Sequence, residues 1–471
     1  MLINSKFILF ISLLLIAISL KSQTFTTVEA RGNSMHHFSK ANSNELIRPT
    51  IKSFSDSINN GLRKKLLDFT YNRNLFSLES EDYKLYIDPY VNIYYGKEQS
   101  NLIWNNSRGI SLAGKIGKKL SFYSEFYDTQ GKYPKSIEKK AYQIQALPSF
   151  TTFKEFKDSA FDYSTTSAVV IFDANKHFNI RLGNDKLFIG NGYKSLFLTS
   201  NSSNYQFLNY NLNFKNISYS VIHTIMQNAY PNLPFESRYF NKNVNYYIVS
   251  YDLNKLKISF IESVVFEIDD TMDYRYNLKA INPIILTNTL LNSSTNNDNV
   301  LTGIDISYQL NKNHIFYMQT NLGLLANSKG KSFQIGYKQT EFIKNLYLLA
   351  EINKADKDIY NFKDYKLSFT NYSQAIANNF YNNFFEADFA LLYKYKNFFL
   401  NYEMNYVDID DKTNSEIIIN SLNLRFLINK YNNLNIFLSF TDRSVSNANK
   451  QNSNWWTIGI STMLFPVNYN F

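Results

Sequence analysis

From about Tyr83 onward the chain alternates apolar and polar positions with a period of two. In Arg108–Ile116, Ile110, Leu112 and Ile116 alternate with Ser111, Ala113 and Lys115. After Gly117-Lys118-Lys119, Leu120, Phe122 and Phe126 alternate with Ser121, Tyr123 and Glu125. Two such runs around a turn predict a hairpin with one apolar and one polar face. The device recurs at Ala168–Phe172 with Phe178, Ile180 and Leu182, where Asn179 and Arg181 take the other face, and again at Leu256, Ile258 and Phe260. Ile304, Ile306, Tyr308 and Leu310 alternate with Asp305, Ser307 and Gln309 before Asn311-Lys312-Asn313 turns the chain into His314–Leu322. Leu422, Leu424, Phe426 and Ile428 pass through Asn429–Asn433 into Leu434, Ile436, Leu438 and Phe440.

The connections themselves alternate between short and long. Short turns fall at Gly117–Lys119, Asp173–His177, Lys215–Asn216, Leu253–Lys255, Asn311–Asn313, Thr340–Asn345, Lys396–Asn397 and Asn429–Asn433, with long polar loops near 128–163, 184–204, 268–301 and 353–384. Membrane barrels have short periplasmic turns and long external loops, whereas a soluble sandwich scatters its loop lengths over both ends. One hairpin per short turn gives about sixteen strands, and Tyr86–Tyr95 with the final strand brings the total to about eighteen, an even number as in single-chain bacterial barrels. Both chain ends then lie on the periplasmic side. The expected fold is all-β, a transmembrane antiparallel β-barrel of about 18 strands with a short, partly helical N-terminal periplasmic segment. The physical reason is that unpaired backbone amides cost several kcal/mol each in hydrocarbon, so a sheet in a membrane must close.

The N-terminal residues read differently. The apolar run Phe7–Leu20, with Lys6 before it and Lys21, Ser22 and Gln23 after it, has the pattern of a secretory signal peptide over 1–22, cleaved after Ser22. Residues 23–82 form the expected periplasmic segment, with a helix from about Ser57 to Leu67, Asp56 as its N-cap and Leu62, Leu66 and Leu67 as its apolar face; 83–471 form the barrel. With no cysteine in the chain, neither a lipid-anchored N-terminal Cys nor a disulfide framework is available. The C-terminus, with Tyr469 and Phe471 in alternate places, is similar to the insertion signal read by the barrel-assembly machinery during biogenesis; Pro466 there needs a bulge or a strand end.

Composition narrows the function classes. The 471 residues are 44% hydrophobic and 17% aromatic with only 15 Gly and 8 Pro, which excludes collagenous and low-complexity chains. A mean hydropathy of −0.31 is too polar for a helical membrane bundle. The net charge of +10 on its own suggests nucleic acid, but export argues against that partner, and lysines in the short turns suit anionic headgroups. Candidate chemistry is sparse. Gly190-Asn191-Gly192-Tyr193-Lys194-Ser195 lacks the contiguous Gly-Lys-Ser/Thr of a phosphate loop. Asp408, Asp410, Asp411, Asn414 and Glu416, and likewise Glu267, Asp269, Asp270 and Asp273, lack the glycine and late Glu of a calcium loop and read as solvated external loops. His36-His37 has no third ligand nearby. No Gly-x-Ser-x-Gly occurs. No catalytic residue, metal or cofactor is expected, and the protein is not expected to be an enzyme.

Several segments resemble the Wzi-type capsule-assembly barrels in the form found in Bacteroidetes. They are Arg108-Gly109-Ile110 through Tyr123, Ile180 through Leu196, Asn282-Pro283-Ile284, Asp298 through Asp305, Asn371-Tyr372-Ser373-Gln374 and Phe440-Thr441-Asp442-Arg443-Ser444, spread along nearly the whole barrel. The Asn371 region departs from the family pattern in lacking its Pro- and His-bearing continuation. The resemblance implies a largely plugged eighteen-stranded outer-membrane barrel whose external surface attaches or organises surface polysaccharide. It points to Asp185, Lys186, Asn191, Tyr193 and Lys194 as glycan-binding residues; the competing reading of that loop is that Gly190 and Gly192 let it fold into the lumen. Expected partners are outer-membrane lipid, surface polysaccharide and, during biogenesis, the barrel-assembly machinery. Some relatives are associated with gliding motility, so an accessory role in gliding or secretion machinery is a further alternative, and a diffusion porin is another.

Overall fold

A computed structural model describes residues 47–49, 73–157, 159–229, 239–266, 278–290, 298–323, 330–340, 343–357, 359–360, 365–378, 383–410, 415–446 and 452–463. The apolar leader, His36-His37, the expected helix over Ser57–Leu67, the acidic run from Glu267 to Asp273, Asp411 and Asn414, and the terminal Tyr469 and Phe471 lie outside the described residues.

Eighteen antiparallel strands close into one barrel. In chain order they are β1 (Tyr83–Glu98), β2 (Asn101–Ile116), β3 (Leu120–Lys132), β4 (Ala160–Asn175), β5 (Phe178–Asp185), β6 (Tyr205–Phe214), β7 (Ile217–Ala229), β8 (Tyr239–Leu253), β9 (Leu256–Val265), β10 (Asn299–Asn311), β11 (His314–Gly323), β12 (Lys331–Thr340), β13 (Leu346–Ala355), β14 (Phe384–Tyr395), β15 (Phe398–Ile409), β16 (Ser415–Asn429), β17 (Leu434–Ser446) and β18 (Ser453–Ser461). Each strand bonds to the next, and β18 bonds back to β1 through Trp455↔Glu98 to Ser461↔Asn92. Beyond that stretch, the short strand Phe76–Glu79 takes up the same edge of β1, with Phe76 opposite Ile87 and Glu79 opposite Lys84.

The alternation resolves into an inverted polarity. On β5, Leu182 is 60% exposed while its neighbour Arg181 is 5% exposed; on β16, Phe426 is 53% exposed and Arg425 3%. Ile110, Ile304, Ile436 and Ile458 all face outward, and Ser111, Asp305, Asn435 and Thr457 are buried inside. Outward aromatics mark two levels: Tyr83, Tyr251, Tyr308 and Tyr395 near one end, and Tyr95, Phe333 and Phe385 near the other. Along β1, the run from Tyr83 to Tyr95 at ~3.3 Å per residue and ~40° tilt rises about 30 Å, which matches an apolar belt of ~25 Å plus its aromatic girdles. None of the described helices is long and apolar enough to cross a membrane; the strands do so instead.

Among the described residues one barrel end carries short turns, where Gly117, Lys215, Asn254 and Lys396 adopt positive φ. The other end carries the long connections 133–159, 186–204, 266–298 and 356–383, as the sequence leads one to expect, but it also has a tight turn at 99–100 with Gln99 at φ 52°. The first long connection holds an unexpected helix, α1 (Lys135–Ile144). Pro134 precedes it in extended conformation, Glu98 Oε2 accepts from the Lys135 N–H at 2.9 Å, and left-handed Gln145 ends it. Its buried face, Ile137 and Ala141, packs on Tyr133, Leu147, Phe153 and Phe161.

Candidate functional site: a tethered lumenal plug

After β5 the chain does not return along the wall; residues 186–204 fold into the lumen. Leu187, Ile189, Phe197 and Leu198 join an apolar cluster with Val244 and Tyr246 of β8, Ile261 of β9 and Leu301 of β10. The backbone closes on itself through Ile189 N–H to Leu198 O at 3.0 Å, and Ser195 Oγ donates to Ile189 O while accepting from the Phe197 N–H. Residues 47–49 pair antiparallel with Leu187–Ile189, so part of the N-terminal segment adds a strand to this plug.

The polar side of the plug is tied to inward acids of β10 and β13. Asp305 accepts from the Asn191 side chain at 2.7 Å and from its N–H at 3.3 Å. Glu351 accepts the backbone N–H groups of Tyr193 (2.6 Å) and Lys194 (3.0 Å), the Tyr317 hydroxyl (2.7 Å) and the Asn353 amide (2.9 Å). Gln319 accepts from the Leu196 N–H at 3.0 Å, and Gln334 donates to Lys194 O at 3.0 Å. A loop that presents successive amides forms an anion nest; here the anion is the wall's own Glu351 carboxylate. Gly190, at φ 123°, sits where a Cβ would meet Gln319 Nε2 at 1.9 Å, so only glycine permits this approach.

Lys194 lies fully within the lumen, its ammonium 3.7 Å from Glu386 Oε1. Burial works against its charge, and the carboxylates of Glu386, Asp388, Glu351 and Glu403 outweigh that, holding the lysine above its ordinary range. Asn405 bridges Glu386 and Asp388 at 2.8 and 2.7 Å.

A cover from other loops locks the plug from the long-loop end. Thr370–Asn371 and Gln374–Ala375 form a two-stranded hairpin. Asn371 donates to Ser203 O at 2.9 Å and accepts from the Gln227 N–H at 3.0 Å; Ser373 N–H reaches Asn228; Gln374 accepts from the Ser149 N–H at 2.7 Å and donates to Phe150 O. The Thr199 N–H donates to Ile376 O at 2.6 Å. The hairpin thus joins the plug, the end of β7 and the helix-bearing loop.

Of the residues read from the sequence as glycan contacts, Asp185, Tyr193 and Lys194 are buried, with Asp185 ending β5 opposite Tyr205. Lys186 is half-buried, its ammonium bonded to Ser149 O and 5.6 Å from the Phe150 ring. Asn191 is half-buried at the deep tip of the plug, where Lys338 donates to its carbonyl. Asp305, Glu351, Glu386 and Gln319 hold the plug from inward polar positions on alternating strands, a signal that does not reveal which loop they meet, and Asn371 holds the cover from a loop hairpin. Asp408 and Glu416 face each other across β15 and β16, and among the described residues no acid or histidine cluster suits a metal ion.

A closed cylinder with an apolar belt, a polar interior and a tethered plug defines a membrane-spanning β-barrel with an obstructed lumen. Its architecture is similar to that of Wzi from Escherichia coli, described as an outer-membrane protein involved in group 1 capsule assembly and a carbohydrate-binding β-barrel. The TM-score is 0.53 at 10% identity, covering 82% of this chain and 85% of that one. OccAB2 of Acinetobacter baumannii (TM-score 0.47, 10% identity, 80% and 96% covered) and OccK3 of Pseudomonas aeruginosa (0.48, 9%, 80% and 94%) match more loosely. At these identities the likeness concerns the fold. No family model and no curated protein matches the chain.

Proposed function

We propose that the protein is a non-enzymatic outer-membrane barrel that attaches or organises surface polysaccharide. The observation that carries this reading is the plug: a segment bonded to Asp305, Glu351, Gln319 and Glu386 obstructs the lumen, so the barrel serves as a platform for its outer loops more readily than as an open pore. Those loops offer the amides, hydroxyls and aromatic faces that sugars need. In this reading Asp185, Lys186, Asn191, Tyr193 and Lys194 act on the glycan from behind, by fixing the floor on which the covering loops rest. The fold likeness to a carbohydrate-binding capsule barrel supports the same choice.

The test is deletion of the gene in its host. Polysaccharide is expected to be shed into the medium and to return to the surface on complementation; unchanged retention would overturn the reading. A diffusion porin is the second reading, favoured by the cavity that remains beside the plug. It predicts steady single-channel conductance of the purified parent protein in planar bilayers, which the platform reading does not.

A further inference from the structure

The plug fills the side of the lumen formed by β8–β14. Against β1–β3 and β15–β18 a cavity of about 120 Å³ remains open, bounded toward the long-loop end by Pro134 and Ile137. We propose that this cavity binds an acidic sugar residue, held by Arg425 and Asn423 between aromatic walls. The choice of a sugar rests on the surface-glycan reading; the existence of an anion site does not.

Arg425 and Asn423 are successive inward residues of β16 and both line the cavity. The Arg425 guanidinium is 3% exposed and lies 4.6 Å from the Phe437 ring centre. Its Nη1 donates to Asn435 Oδ1 at 2.9 Å and to Met463 O at 3.0 Å, and both acceptors are neutral. Its Nε has no acceptor, and among the described residues no carboxylate pairs with it. A charge taken out of water without a counter-charge is costly, so an anion is the ligand this position favours. Asn423, 4% exposed, holds its Oδ1 without a donor among the described residues, and an amide oxygen accepts a hydroxyl.

The surrounding layer supplies the rest. Across the strands Arg425, Phe437, Gly459, Tyr94 and Asn105 stand in register. Gly459 leaves space between the two rings, which meet edge to face at 6.2 Å. A carboxylate on the guanidinium, a ring hydroxyl on Asn423 and the apolar face of the sugar on Phe437 or Tyr94 satisfy each group at once. The acids Glu351, Glu386 and Asp388 are engaged on the plug side by Lys194, Asn353 and Asn405, and Glu403, the acid that lines the cavity itself, accepts from Asn401 at 2.9 Å, so a bound anion is favoured at the Arg425 end of the cavity.

The chain contains its own reporter. Of its three tryptophans only Trp455 lines the cavity, since Trp104 and Trp456 share the outward face with Tyr95. The full-length protein in detergent is titrated with D-glucuronate, D-glucose and acetate while Trp455 fluorescence is followed. Glucuronate is expected to give a saturable change, with glucose and acetate at least tenfold weaker. Arg425→Gln is expected to weaken glucuronate at least tenfold in protein that still shows the heat-dependent gel shift of a folded barrel. Should that variant not fold, Ser439→Phe, which fills the cavity while keeping the charge, is expected to abolish the response. Absence of a saturable response, equal binding of glucose or acetate, or undiminished binding in whichever variant folds would overturn the proposal. Surface polysaccharide retention in the host is scored separately, so loss of this site and loss of the platform reading are distinguishable.

Discussion

Replacing Glu351 by glutamine isolates the energetics of the plug. Four donors converge on the two carboxylate oxygens: Tyr193 N–H and Tyr317 OH on Oε2, Lys194 N–H and Asn353 Nδ2 on Oε1. Each carboxylate oxygen thus accepts two hydrogen bonds. Glutamine keeps the size, and with its NH₂ toward Tyr193 N–H and the Tyr317 hydroxyl, which can turn to accept, it loses one bond outright while the other three fall from charged to neutral strength. At about 1.5–3 kcal/mol for a bond to a charged group and about 0.5–1.5 kcal/mol for a neutral one the loss is about 3–7 kcal/mol. Removing one negative charge relieves repulsion from Glu386 and Asp388 and offsets part of that, so the lower bound, about 3 kcal/mol, is the working figure. At ~1.4 kcal/mol per tenfold, the open population of the plug rises on the order of a hundredfold. Because the chain has no cysteine, a single Ser202→Cys on the buried arm of the plug reports that opening through its rate of maleimide labelling. Labelling in the Glu351→Gln background is expected to be about a hundredfold faster than in Ser202→Cys alone. A ratio below threefold would refute the assignment of Glu351 as the principal tether.

Other substitutions perturb the buried lysine, the glycine beside the wall and the lipid-facing surface. Lys194→Met leaves buried carboxylates without their cation, a loss of about 3–5 kcal/mol; bilayer currents are expected to become larger and noisier than the parent's, with the excess shrinking at lower pH as the orphaned acids take up protons. Gly190→Ala places a Cβ against Gln319 at 1.9 Å with φ at 123°, and is expected to speed Ser202→Cys labelling while leaving the heat-dependent gel shift of the barrel intact. Leu182→Arg puts a charge on the lipid face and is expected to lower stability in lipid vesicles by about 2–4 kcal/mol, measured by urea unfolding, whereas Ser439→Ala inside the lumen is expected to be near neutral.

The strand count, the facing of each strand and the loop asymmetry were legible because period-two patterning is local and repeats in every hairpin. Leu182 outside and Arg181 inside could be assigned from their neighbours alone. Two features were not legible. Helix α1 sits in a loop whose Lys135–Ile144 stretch has only Ile137 and Ala141 as buried positions, too few for the periodicity to stand out, although Pro134 directly before them was a start signal. The tethers were hidden for a different reason. Asp305 and Glu351 look like any inward polar residues, and nothing local says that they meet residues 191 and 193. The glycine spacing around Asn191 did mark the loop that folds inward, because Gly190 has to pass beside the wall with no Cβ.

The same tethers dictate an order of events. Residues 191–196 find their partners more than a hundred positions later, on β10, β11 and β13. When the plug segment leaves the ribosome, the wall that will hold it does not yet exist. Seating must therefore wait for the carboxy-terminal half, and contacts this distant in sequence are slow to form. A chain made only as far as β9 therefore has nothing to hold its plug, and a truncation before β10 would leave residues 191–196 without the side chains that seat them.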